Sequence, residues 1–148
     1  MAKGFNIEVS DKAFNNILKK YKGKIDAVAL EMDMELAAHG VMMERSAKNK
    51  VPVDTGLLKG SISLKKEQFL SYQLVAQKKY AAYVEFGTGD FGFGIPVYPN
   101  VNMGELEAYA LTFKRNKKTI GMPYRPFMFN SYSEVLSKMV NKIKKIRI

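Results

Sequence analysis

Residues 24–48 read KIDAVALEMDMELAAHGVMMERSAK, and the spacing within this stretch decides the fold. Ile25, Val28, Ala29, Met32, Leu36, Gly40, Met43 and Ala47 recur at steps of three and four, which is the period of an amphipathic helix. Leu30, Met34, Ala37 and Val41 form a second stripe on the adjoining face. A helix that is apolar on most sides is buried on most sides. One face is therefore expected against a sheet and the other against something else, a neighbouring subunit being one candidate. Lys48 and Lys50 suit the negative end of the helix dipole, and Pro52 makes continuation unfavourable.

Towards the N-terminus, Phe14, Ile17, Leu18 and Tyr21 follow Ser10-Asp11 at helical spacing, with Gly23 as the expected interruption. Residues 1–23 thus read as an arm or a separate short helix. Towards the C-terminus the pattern turns to β. Ser61–Lys65 alternates polar and apolar residues, Tyr72–Gln77 does so less strictly, and Glu67–Ser71 connects them. Tyr80–Phe86 reads as a third strand. Gly87–Met103 reads as an exposed loop, with four glycines in its first eight residues and with Pro96 and Pro99. Glu105–Phe113 suits a short helix, Lys114–Lys118 a basic turn, and Thr119–Tyr124 a last strand.

Ser131-Tyr132-Ser133-Glu134 fits a capping box for a terminal helix, with Pro126 as an alternative start one turn earlier. Tyr132, Val135, Leu136, Met139, Val140, Ile143 and Ile146 make its apolar stripe. Lys138, Lys142 and Lys145 share the opposite face. The expected architecture is α+β: a long N-terminal helix packed on a small antiparallel β-meander, with a C-terminal amphipathic helix. No repeat, low-complexity segment or linker divides the chain, so residues 1–148 read as a single domain.

Hydrophobic residues make up 47% and charged residues 26%, as in ordinary globular proteins. No run approaches the ~18 consecutive apolar residues of a membrane span, and Met1–Glu8 lacks the apolar core of a secretory signal. Cysteine is absent, which fits assembly in a reducing cytoplasm. The net charge of +10 is concentrated: residues 111–148 carry ten Lys and Arg against Glu134 alone. Such a segment suits an acidic partner or DNA, and equally a solvated face.

A search for chemistry finds little. His39, the single histidine, falls beside the apolar stripe of the long helix and reads as a core or interface residue. No second His and no Cys can complete a zinc site with it, so no cofactor or metal is expected. No Gly-x-Ser-x-Gly elbow exposes a nucleophile. Asp26, Glu31, Asp33 and Glu35 crowd one helix; a metal-dependent nuclease needs carboxylates converging on divalent ions, and the cluster is read instead as a solvated face or a surface meeting a basic neighbour. Gly87-Thr88-Gly89-Asp90-Phe91-Gly92 matches Gly-x-Gly-x-x-Gly. The Phe93–Pro99 stretch behind it cannot be the helix that would hold a pyrophosphate.

Three segments, in order and spacing, resemble the tail-component proteins of lambda-like long-tailed bacteriophages, the neck, tail-completion or minor tail Z-like proteins. The first is Val51-Pro52-Val53-Asp54-Thr55-Gly56-Leu57-Leu58-Lys59-Gly60-Ser61-Ile62. The second is Tyr80-Ala81-Ala82-Tyr83-Val84-Glu85-Phe86-Gly87-Thr88. The third is Arg125-Pro126-Phe127-Met128, just before a terminal helix. Many members carry a further proline after Pro-Phe, where this chain continues Met128-Phe129-Asn130-Ser131.

Each motif residue has a structural reading. Pro52 ends the helix, Asp54 and Thr55 bond the turning backbone, Gly56 takes a positive φ, and Leu58 and Ile62 lead into the sheet. Tyr80, Tyr83, Val84, Glu85, Gly87 and Thr88 form the second motif, with Glu85 expected to bond Thr55 or a backbone amide. Pro126 and Phe127 start the last helix and lock it to the core. The resemblance implies a non-enzymatic virion protein of the neck or tail, assembled in the host cytoplasm. It implies a ring around the DNA path, often a hexamer, that joins head to tail. The partners would be other copies of itself, a connector or stopper, and a tail terminator or tube, with non-specific DNA contact and no membrane. Lys138, Lys142 and Lys145 are the candidates to face an acidic partner or DNA. The competing reading is a basic DNA-binding accessory protein that is not incorporated in the virion.

Overall fold

The computed structural model describes residues 11–88, 101–113 and 121–147. The first ten residues, most of the expected Gly87–Met103 loop, the basic turn at 114–118 and the first two residues of the expected last strand lie outside them. Helix α1 runs Asp11–Lys50, 40 residues without a break, or about 60 Å. Gly23 was expected to split it and does not. A glycine costs a helix only about 1 kcal/mol relative to alanine and leaves the backbone hydrogen-bond ladder intact. The Val51 N–H still bonds the Ala47 carbonyl at 2.9 Å, after which Pro52 ends the run.

One turn of helix, α2 (Leu57–Gly60), leads into an antiparallel hairpin of β1 (Ile62–Gln68) and β2 (Ser71–Ala76). Pairing runs from Ile62 opposite Ala76 to Gln68 opposite Ser71, with an irregularity between Lys66 and Gln68. Two carboxylates of α1 hold this hairpin by its backbone. Asp33 Oδ1 accepts the Leu70 N–H at 2.8 Å, and Glu44 Oε2 accepts the Leu64 N–H at 2.9 Å. Gly40 lets the two elements close: a Cβ there would stand 2.8 Å from the Leu64 methyl carbons.

Among the described residues the sheet has two strands. Tyr80–Phe86, expected as a third strand, is instead helix α3 (Ala81–Phe86). A short apolar run is compatible with either period. A strand would turn Val84 and Glu85 to opposite faces, whereas both are buried here, together with Ala81. Residues 121–126, which include the described part (121–124) of the expected last strand, join no sheet. They bond to the end of α3, through Thr88 N–H to Met122 O (2.9 Å) and Arg125 N–H to Val84 O (3.2 Å). The fold class remains α+β, with a hairpin in place of a meander.

Helix α4 (Met103–Leu111) has Asn102 as its N-cap, and α5 (Phe127–Ile143) closes the described chain. Helix α5 begins at the earlier of its two expected starts. Ser131 is therefore no cap: it lies inside the helix, and its hydroxyl donates to Phe127 O at 2.6 Å. Helix α5 runs antiparallel along α1. Glu134 meets Ser46 and Lys50 at one end, and Lys142 stands 4.0 Å from Glu35 at the other.

Two apolar clusters result. The first joins Ala47 of α1 and Val51 just past its end to Leu58, Ile62, Ala81, Val84 and Phe127. The second packs Phe86, Leu106 and Ala110 with Phe113, Tyr124 and Phe129. In it, the rings of Phe86 and Phe113 stack 5.6 Å apart.

Candidate functional site: a clamped junction and two bare helix faces

The three sequence segments meet at one place. Leu58 and Ile62 of the first, Val84 of the second and Phe127 of the third share the first apolar cluster at the C-terminal end of α1. Gly56 precedes α2 with φ of 77°, while Asp54 and Thr55 lie exposed at that turn and Pro52 is half-buried. Tyr80 and Tyr83 are exposed, and the Tyr83 ring meets Phe113 edge-on at 5.1 Å.

Glu85 ties the second segment to the third. Its side chain is 3% exposed, and its two oxygens accept the backbone N–H groups of Phe127 (2.8 Å), Met128 (2.9 Å) and Phe129 (2.9 Å). A helix leaves its first four N–H groups without internal partners, and its positive end favours a carboxylate. One side chain from α3 thus satisfies three of the orphan donors of α5. Of the two partners expected for Glu85, the structure gives the backbone amide. Burial pushes the Glu85 carboxyl above its ordinary range, and the three N–H donors pull it back.

Gly87 completes the junction. Its φ is 65°, and a Cβ there would stand 2.7 Å from both Met122 O and Tyr124 N. Thr88 bonds Met122 with both its amide and its hydroxyl. The glycine of the apparent Gly-x-Gly therefore serves close backbone approach.

The acidic residues of α1 separate into different roles. Asp33 is buried and accepts from Lys66 Nζ (2.6 Å), the Leu70 N–H and the Tyr72 hydroxyl (3.2 Å). The Lys66 bond above all holds its carboxyl below the usual aspartate range. Glu35 lies between His39 and Lys142. His39 is buried, and its ring Nδ1 is 2.8 Å from the Glu35 carbonyl. Asp26 and Glu31 are exposed. Among the described residues, no group of three His, Cys, Asp or Glu is placed to hold a metal. The latch formed by Asp33 was not readable in the sequence, where it looked like one more acid in a charged run. Its place beside Met32 on the core stripe was the available signal.

Lys138 and Lys142 are exposed on α5 and Lys145 is exposed just beyond its end, and Lys142 is turned towards Glu35 of α1. The larger uncovered surface is apolar. Most of the second stripe of α1 is bare: Leu30 is 57% and Met34 65% exposed, Val41 is exposed too, and Ala37 is half-buried. Every residue from Asn15 to Ala27 is exposed as well, including Ile17, Leu18, Tyr21 and Ile25. An apolar groove also opens between α1, the hairpin and α5, lined by Leu36, Met43, Leu64, Leu74, Met128 and Met139. Contiguous apolar surface of this kind marks an interaction site. No described helix is long and apolar enough to cross a membrane.

Residues 12–87 match the family described as "Bacteriophage HK97-gp10, putative tail-component". No curated protein and no solved structure matches the chain. The match begins in α1 and ends at Gly87, so it spans the long helix, the first segment, the hairpin and Glu85, but not the α5 amides that Glu85 holds. It covers more than half of the chain, which therefore belongs to the HK97-gp10-like family of bacteriophage tail components.

Proposed function

We propose that this tail component is a neck or tail-completion subunit that forms a ring around the DNA path and helps join head to tail. It works by assembly and not by catalysis. The supporting observation is the exposed apolar surface of α1, with Leu30, Met34 and Val41 of the second stripe open and Ile17, Leu18, Tyr21 and Ile25 open nearer the N-terminus. In this reading α1 and α5 make lateral contacts between copies, often six in number. Identical head-to-tail contacts close into a ring when the rotation allows. A connector or stopper would lie above the ring and a tail terminator or tube below it, with only non-specific contact to DNA.

The test is to inactivate the gene in its phage and examine the lysate by electron microscopy. DNA-filled heads beside separate tails, rescued by the purified protein, are expected. Overlong or misshapen tails would move the role to tail completion. Normal infectious particles would contradict the reading and favour a basic DNA-binding accessory protein, whose binding would fall steeply with salt.

A further inference from the structure

We infer that the basic N-terminal arm of α1 docks on the acidic outer face of the middle of α1 in a second copy, resting on the ring reading above. The charge of this helix is divided into blocks. Residues 12–24 carry five lysines and no acid, and residues 25–44 carry five acids and no Lys or Arg. Both blocks bear exposed apolar side chains: Ile17, Leu18 and Tyr21 in the first, and Ile25, Leu30, Met34 and Val41 in the second.

The arm is bare because its cover ends. Helix α5 runs back along α1 only as far as Glu35, where Lys142 lies one residue before the end of α5. Beyond that point Met32, Ala29 and Val28 are still half-buried, and from Ala27 back to Asn15 no described residue covers the apolar stripe of α1. From Asn15 to Ala27 the uncovered run is about 20 Å long. A helical extension holding half-exposed Leu, Ile and Tyr gains little from propensity alone, and most helical stability comes from packing an apolar face.

Charge selects the occupant. At helical spacing Lys22 and Lys24 flank the arm stripe, while Asp26 and Glu31 stand one turn before Leu30 and Met34 on the outer face. Two arms facing each other would oppose lysines to lysines, and two outer faces would oppose acids to acids. Arm on outer face pairs opposite charges around apolar centres. That contact joins different surfaces of identical chains, so it is head-to-tail, the type that propagates into rings. Asp33, Glu35 and Glu44 do not take part, since Lys66, Lys142 and Lys48 already face them.

The experiment uses the full-length chain and sedimentation at low and moderate salt. Lys22→Glu/Lys24→Glu should raise the concentration needed for assembly about tenfold or more. Asp26→Lys/Glu31→Lys should do the same, and the four substitutions together should restore assembly. Because cysteine is absent, Leu18→Cys and Met34→Cys chains can also be mixed under oxidation. A disulfide between the two different chains is expected, in preference to either chain with itself. Circular dichroism confirms that each variant folds, as expected at exposed positions. Charge variants that assemble like the wild type would overturn the arm contact while leaving the ring reading intact. A wild-type chain that stays monomeric at high concentration and low salt would overturn both.

Discussion

The two halves of α1 carry the same apolar period and meet different fates. In the C-terminal half Ala47 is fully buried and Met43 nearly so, beneath α5 and the hairpin. In the N-terminal half Tyr21 is 56% exposed, and Ile17, Leu18 and Ile25 are about as bare. Periodicity records that a face is to be covered; it does not record by which molecule. In the C-terminal half the cover belongs to this chain, and truncation there should cost folding. In the N-terminal half no described residue of this chain supplies it; with the proposed second copy as the cover, truncation there should cost assembly.

The largest expected effect is at the junction that anchors the covered half. Phe127→Ala should destabilise the chain by about 3–5 kcal/mol, because a fully buried ring leaves a cavity in a core shared by five elements. Tyr21→Ala, an aromatic truncation on the bare half, should change monomer stability by less than about 0.5 kcal/mol and weaken self-association instead. Urea titration below the assembly concentration reads both. Equal losses in the two variants would erase the distinction between the halves.

Next in size is the clamp. Glu85→Ala should cost about 2–3 kcal/mol, since it orphans three N–H groups at the start of α5. Glu85→Gln, which keeps an acceptor but no charge, should cost less. The carboxyl is raised in the folded state, so the folded chain holds this proton to higher pH than the unfolded one. Its contribution to stability therefore falls as pH rises from the ordinary glutamate range to the raised folded value. That decline should vanish in Glu85→Gln.

Asp33, held low by Lys66, has the opposite sign. Its contribution is present above the ordinary aspartate range and is lost as pH falls through its lowered folded value. Asp33→Asn should therefore flatten the acid end of the stability profile. The smallest effect belongs to the arm: Gly23→Ala, with open space around it, should add up to about 1 kcal/mol of helix stability. Helical content should rise and assembly should tighten slightly.

The sequence carried the long helix, the terminal helix and the hairpin, because each spans several turns or alternations of one clear period. It misplaced what depends on distant partners. Tyr80–Phe86 looked like a strand because its apolar run suits either period, and burial of Glu85 against α5 decided the outcome. Gly23 looked like a break because its local cost is visible in sequence, whereas a ladder propagating from a packed helix is not. The second and third motifs could be read separately, but their link through one carboxylate required the start of α5 to be known. The second stripe of α1 was legible as apolar, but not its state in this chain: Leu30, Met34 and Val41 are exposed and Ala37 is half-buried.

The most direct measurement is hydrogen exchange along α1 in the full-length chain, compared between dilute monomer and assembled protein. The account predicts that amides from about residue 15 to residue 30 exchange rapidly in the monomer and gain protection on assembly. Those near Ala47 should be protected in both states. Assembly that leaves the arm unprotected, or an arm already as protected as the core in the monomer, would contradict it.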